Sequence, residues 1–133
     1  MNGYALDANI ISFLLRKNKS LQKRVYHEAN DGKGIIIPAV AYYEVKRGLI
    51  DAQATEKLLA FERLCDMVGI DKIDVETLDK AAYIYAALKK IGRITEDADI
   101  LIAASCIVHG YTLVTNNIKH LGRIDGLQIE DWV

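Results

Sequence analysis

Along the chain, short apolar runs alternate with longer stretches whose apolar positions recur at helical spacing. Tyr4-Ala5-Leu6 is apolar, ends on Asp7, and predicts a buried strand. Asn9 is placed to cap a short helix built on Ile10, Ile11, Phe13 and Leu14 and closed by Arg16-Lys17. A second helix starts at Ser20, carries Leu21, Val25 and Ala29 on one face, and stops at Asn30-Asp31-Gly32. Ile35-Ile36-Ile37, three β-branched residues after Gly34, predict the next strand. Pro38 suits the first turn of a helix that carries Tyr42, Tyr43, Glu44, Val45 and Arg47 and ends near Gly48. A longer helix is expected from about Asp51 to Met67, with Leu58, Leu59, Phe61, Leu64 and Cys65 as its apolar set.

Val68 to Ile73 reads as a third short strand, and Asp74 caps a helix with Ala81, Ala82, Ile84, Tyr85 and Leu88 that closes at Lys89-Lys90-Ile91-Gly92. Thr95-Glu96-Asp97-Ala98 reads as an N-cap with acids in the first turn. The helix it opens, Ile100 to Val108, is apolar on nearly every side, so it is central and buried. Gly110 ends it. Tyr111 to Thr115 is a strand, Asn116 to Leu121 a polar helical turn, and Leu127-Gln128-Ile129 a last strand. Strands alternating with helices imply one α/β domain over residues 1–133, with a central parallel sheet of four to five strands covered on both faces. No linker, repeat or low-complexity stretch divides it.

Composition adds exclusions. Of 133 residues, 51% are apolar and 26% charged, which is globular and not disordered. A net charge of −1 excludes the global basic field of a sequence-independent nucleic-acid coater, so any nucleic-acid role rests on a local site. Cys65 and Cys106 lie in apolar helical stretches without metal-ligand spacing and read as buried reduced thiols. No signal peptide is visible before Asp7, and no segment approaches the roughly 18 apolar residues of a membrane span. A cytoplasmic protein is the default.

Acids fall where a parallel sheet binds ligands, beyond the C-terminal ends of its strands. Asp7 follows the first strand; Thr115, Asn116 and Asn117 follow the strand at 111–114; Glu44 lies about two turns into the helix that leaves the second strand; Asp97 and Asp99 head the buried helix. Taken singly, each acid reads equally well as a cap, a dipole partner or a surface charge. Glu44, however, sits among Val40, Ala41, Tyr42, Tyr43 and Val45, and Asp99 precedes Ile100-Leu101-Ile102-Ala103-Ala104. Carboxylates in apolar settings are costly unless paired or metal-bound, and converging acids call for a divalent cation. Oxygen-only ligation selects Mg²⁺ or Mn²⁺.

Four segments then occur in order: Leu6-Asp7-Ala8-Asn9, Tyr43-Glu44-Val45-Lys46-Arg47-Gly48, Asp97-Ala98-Asp99-Ile100-Leu101-Ile102-Ala103-Ala104, and Leu113-Val114-Thr115-Asn116-Asn117. With the ending from His120 through Arg123-Ile124-Asp125-Gly126-Leu127 to Glu130-Asp131-Trp132, the set resembles the PIN-domain ribonucleases, specifically the VapC toxins of type II toxin–antitoxin systems. The resemblance implies a PIN-like three-layer α/β/α sandwich. It also implies a metal-dependent endoribonuclease that cleaves structured RNA (tRNA or rRNA) with a metal-activated water. Asp7 and Asp99 match the acids that bind the metal, Glu44 the second acid of the site, and Thr115 the supporting threonine. Asp97 matches an acid present in some members near the third carboxylate, and completes the catalytic set. Asn9, Asn116 and Asn117 would support the site.

The chain departs from the pattern in two places. Ala8 stands where many relatives have Thr or Ser, and Asn116-Asn117 where some have a fourth acid, which favours one firmly held metal over two. The expected partners are RNA, a VapB-type antitoxin that delivers a basic side chain to the acids, and a second copy of the chain in a homodimer. Arg16, Lys46 and Arg47, with Lys17, Lys119 and Arg123, are candidates for RNA phosphate contacts. Two alternatives stand beside this reading. One is a catalytically weak PIN-like module that binds RNA or protein. The other is a receiver-like signalling domain, which lacks support in Asp7-Ala8, Pro38 and Asn116, where that fold needs acids and a lysine.

Overall fold

The first apolar run, β1 (Tyr4–Leu6), is buried at all three positions and forms the centre of a parallel sheet. A computed structural model of the chain describes residues 3–31 and 34–133; the helix stop assigned to Gly32 lies outside the described residues. After β1 come α1 (Ala8–Leu15), α2 (Lys19–Asn30), β2 (Ile35–Pro38), α3 (Ala39–Asp51) and α4 (Thr55–Val68). Then follow β3 (Ile70–Asp71), α5 (Val75–Lys90), α6 (Asp97–His109), β4 (Thr112–Val114), α7 (Ile118–Leu121) and β5 (Ile129–Glu130).

The strand order is β3-β2-β1-β4-β5, with every neighbouring pair parallel. Tyr4 pairs with Ile35 on one side and Thr112 on the other, so β1 is enclosed by two strands. This is the layered α/β/α architecture expected from the alternating pattern. A receiver-like domain requires the order 2-1-3-4-5, and the observed order excludes it. Leu6, Ile37, Leu113 and Val114 of the sheet are buried with Ile10, Ile11, Phe61, Ile102 and Ala103 of the helices in one core. As its all-round apolarity required, α6 is central, packing on α5, α3, β2 and β4.

Several boundaries differ from the sequence reading, each for a local reason. Asp7, not Asn9, caps α1, because its carboxylate accepts from the Ala8 N–H at 2.8 Å. Asn18 caps α2 through the Leu21 N–H at 3.1 Å, so that helix begins before Ser20. Pro38 ends β2, pairing with Asp71, and is itself the N-cap of α3. Helix α3 continues past Gly48 to Asp51. The break falls at Gln53, in the left-handed region at φ 54°, which moves the start of α4 to Thr55. Gly69 at φ 88° cuts β3 down to Ile70–Asp71. Glu96, not Thr95, is the N-cap of α6, and the last strand pairs at Ile129–Glu130. Cys65 and Cys106 are free and buried, and burial pushes the Cys65 thiol up to about 11.

At the far end of α6 a histidine is clamped by two acids. His109 Nδ1 lies 2.6 Å from Asp71 Oδ2, and Nε2 lies 3.0 Å from Asp74 Oδ2. Asp74 is the N-cap of α5, accepting from the Thr77 N–H and hydroxyl at 2.8 and 2.7 Å. Carboxylates on both ring nitrogens call for imidazolium, which donates from both. The Asp74 hydrogen bond, with Asp71, accordingly raises the His109 pKa above its usual value. A raised folded pKa means stability present below the unfolded value, about 6.5, and lost as pH rises through the folded one. His109→Gln is therefore expected to lower the melting temperature at pH about 5.5 and to have a smaller effect at pH about 9. Thermal unfolding of both chains across that range checks it; a loss independent of pH would show that the clamp works by packing alone.

Candidate active site

The sheet reverses its strand order around β1. Strands β2 and β3 lie to one side, and β4 and β5 to the other. In such sheets the crevice between the strands at the reversal is the place for a ligand. Asp7 follows β1 there and Thr115 follows β4, and the Asp7 N–H donates to the Val114 carbonyl at 3.0 Å.

Asp7 is only 4% exposed, and Thr115 is fully buried. The Thr115 hydroxyl donates to Asp7 Oδ2 at 2.7 Å, while Asp7 Oδ1 holds the Ala8 N–H. Thr115 Oγ1 in turn accepts from the Asn117 N–H at 3.0 Å and from Asn9 Nδ2 at 3.4 Å. Asn9 Oδ1 accepts from the Asn116 N–H at 3.2 Å, and Asn116 Nδ2 donates to Asp131 Oδ2 at 3.3 Å. The four residues expected to support the site thus form one hydrogen-bonded cradle behind Asp7. Among the described residues no buried side-chain nitrogen or oxygen lacks a partner.

Glu44 comes from α3 and Asp99 from the first turn of α6; both are half-buried. Burial is the main cause that raises the pKa of Asp7, opposed by the Thr115 and Ala8 hydrogen bonds. Glu44 is raised by burial first, then by the charges of Asp7, Asp99 and Glu96, with Arg47 opposing. Asp99 is raised by burial, then by Asp7 and Glu96, with His120 opposing. Asp7, Glu44, Asp99 and Glu96 therefore share one electrostatic neighbourhood in which each added negative charge disfavours the others.

Asp97 stands apart from this neighbourhood. It is exposed, one position into α6, and Glu96 rather than Asp97 is among the main charges acting on Glu44 and Asp99. Glu96 takes that place. Glu96 and Asp99 are three residues apart and share a helix face, whereas Asp97 and Asp99, two apart, do not. That spacing is the signal in the sequence that would have singled out Glu96. The cations also sort themselves. Lys46 turns onto Tyr42, its Nζ 2.9 Å from the hydroxyl. Arg47 lies over Tyr43 with its charge felt at Glu44, and Arg16 lies over Phe13. Arg123 donates to His120 Nδ1 at 2.8 Å, and Lys17 and Lys119 are exposed.

The donor set is all oxygen and carries mutual repulsion, which suits a hard divalent ion. Among the described residues no three such side chains close on a point that would enclose an ion by themselves.

Comparison with known proteins gives a consistent result. The PIN domain family model matches residues 4–127. The tRNA(fMet)-specific endonuclease VapC of Shigella flexneri is 32% identical over 130 residues, 97% of each chain. Ribonuclease VapC1 of Methanocaldococcus jannaschii is 35% identical over 100 residues, 74% of this chain and 71% of that one. Among solved structures, VapBC2 from Rickettsia felis, bound to a DNA fragment from their promoter, contains a chain that superposes with a TM-score of 0.88. That chain is 27% identical, with 98% of both chains covered.

Proposed function

The chain belongs to the PIN-domain family, in its VapC branch, and from that premise we propose that it is the endoribonuclease toxin of a VapBC-type pair, dependent on a divalent metal. One observation carries the proposal: a buried Asp7, oriented by the Thr115 hydroxyl at the sheet's reversal point, shares its field with Glu44 and Asp99. Such a cluster is unstable as three bare anions and becomes favourable when it holds a cation.

Asp7, Asp99 and Glu44 would hold Mg²⁺ or Mn²⁺, with water completing the shell. When bound, the ion supplies an activated water and offsets the charge that develops on the phosphodiester. The chain's own residues do the rest. Thr115 orients the Asp7 carboxylate and opposes the burial that raises its pKa; the Asn9–Asn116 bond ties the start of α1 to the loop after β4. Glu96 adds negative potential toward Glu44 and Asp99. Asn116 and Asn117 bring amides and no charge, so one metal is held firmly rather than two. The substrate is structured RNA, tRNA or rRNA, in the cytoplasm. A VapB-type antitoxin restrains the activity by bringing a basic side chain to the acids, and the toxin works as a homodimer. Among the described residues no helix is long and apolar enough to cross a membrane.

The test is cleavage of total RNA by the purified chain. EDTA should abolish it, and Mg²⁺ or Mn²⁺ should restore it. The same ions should raise the melting temperature, because an ion at a hundredfold excess over its Kd adds about 2.7 kcal/mol of stability. Cleavage that persists in EDTA, or ions that leave melting unchanged, would count against the metal role. Expression without an antitoxin should arrest growth.

A further inference from the structure

A groove of about 190 Å³ opens between α1, α3 and α4 and has Glu44 in its wall. Ser12 and Arg16 line it from α1 and its cap, Gly48 from α3, and Lys57 from α4. Neither Arg16 nor Lys57 is ion-paired with a carboxylate among the described residues. Arg16 lies 5.8 Å from the Phe13 ring centroid, which steadies the guanidinium without neutralising it. Lys57 sits in the first turn of α4, where the helix dipole disfavours a cation, so helix stability does not explain its position. Gly48 is as telling. Glycine weakens a helix interior, yet here a Cβ would meet nothing within 4 Å and the φ is not left-handed. Neither backbone conformation nor packing requires glycine; its effect is to leave the groove open.

We infer that this groove is a backbone subsite for RNA, in which Arg16 and Lys57 hold a phosphate adjacent to the bond brought to Asp7, Glu44 and Asp99. The inference rests on the ribonuclease reading. An RNA chain carries a charge at every nucleotide and must pass a cluster of carboxylates on a protein whose net charge is −1. Global attraction is therefore absent, and local cations at the rim are what allow approach. A peptide delivering a basic side chain to Glu44 is the competing occupant; it needs only the carboxylates, whereas the pairing of Arg16 and Lys57 in the wall suits a phosphate. The structure also narrows the set of candidate cations. Lys46 and Arg47 do not line the groove.

The experiment measures binding, not turnover. A fluorescein-labelled RNA hairpin is titrated with the full chain carrying Asp99→Asn, in Mg²⁺, across a salt series. Adding Arg16→Gln and Lys57→Gln together should weaken binding about 10- to 100-fold and flatten the slope of log K against log salt by about 0.7 to 1.4. Gly48→Leu, which fills the groove without touching charge, should weaken binding while leaving that slope in place and the fold intact by melting. Lys23→Gln with Lys90→Gln removes two exposed cations outside the groove and should change neither quantity. RNA binding unchanged in the Arg16/Lys57 variant, or weakened equally in the Lys23/Lys90 control, overturns the subsite. Loss of binding of a short Arg-rich peptide in the Gly48→Leu chain, with RNA binding unaffected, gives the groove to a peptide and also overturns it. Either result leaves the ribonuclease reading standing if the wild-type chain cleaves RNA. A wild-type chain that neither binds nor cleaves RNA overturns both.

Discussion

Asp99→Asn is expected to lower kcat/KM for RNA cleavage by a factor on the order of 100 to 1,000 while the protein melts at the same temperature or higher. The two halves follow from one fact. Asp99 sits half-buried at the head of an apolar helix, with the charges of Asp7 and Glu96 directed at it and only His120 opposing. Its ionised form is therefore disfavoured in the folded chain, and the neutral amide relieves that repulsion. A raised folded pKa places the group's stabilising protonation at low pH, and the contribution is lost as pH rises through the folded value. At neutral pH the wild-type chain carries the penalty and the amide variant does not. Catalysis is affected in the opposite direction. With Asp99 as the metal ligand proposed above, losing one anionic ligand would remove part of the several kcal/mol of charge stabilisation that a metal supplies, and about 3 to 4 kcal/mol corresponds to the stated factor. Melting curves with and without Mg²⁺, alongside RNA cleavage, check both halves. Cleavage at the wild-type rate would remove Asp99 from the site. A drop in melting temperature of several degrees would show instead that Asp99 is a structural cap.

Much of this arrangement is written in the sequence because burial and chain order are. The three-residue strands Tyr4–Leu6 and Thr112–Val114 are buried at every position, as strands covered on both faces are, and each is followed at once by a polar residue, Asp7 or Thr115. Those residues end up adjacent because β1 and β4 pair, and alternation of strands and helices permits that pairing but does not by itself specify it. Family resemblance supplied what periodicity left open, namely which of several strand-end acids act together. What stayed hidden was side-chain direction. Asp97 and Glu96 differ by one position, yet a helix turns about 100° between them, so Glu96, three residues from Asp99, shares its face and Asp97, two residues away, does not. The same applies to Lys46, which lies two positions from Glu44 in sequence but points to Tyr42 on another face of α3. Gly48 misled in a different way: a glycine near an expected helix end reads as a stop, and here it lies inside the helix.

Thr115→Val should destabilise the fold by about 1 to 3 kcal/mol and move the acid limb of the pH–activity profile to higher pH. Valine matches threonine in shape and lacks only the hydroxyl, so the core around the end of β4 loses little contact. What goes is the hydroxyl hydrogen that Asp7 Oδ2 receives at 2.7 Å, together with the oxygen that accepts the Asn117 N–H and Asn9 Nδ2. A buried carboxylate oxygen and a backbone N–H lose their partners, and leaving such groups unsatisfied carries the stated cost. The Thr115 bond also opposes the burial that raises the Asp7 pKa. Without it burial acts less opposed, the Asp7 pKa climbs further, and a larger fraction of the chain is protonated at Asp7 at any given acidic pH. A metal ligand must be deprotonated to bind, so activity should need a higher pH to appear, and more Mg²⁺ at a fixed pH. Raising pH or Mg²⁺ should then recover part of the lost rate. Thr115→Ser, which keeps the hydroxyl and loses a methyl, should retain the wild-type pH profile at a smaller cost in stability. A merely structural threonine would give Val and Ser variants that differ from wild type in melting temperature with superimposable pH profiles, and that result would remove Thr115 from the catalytic apparatus.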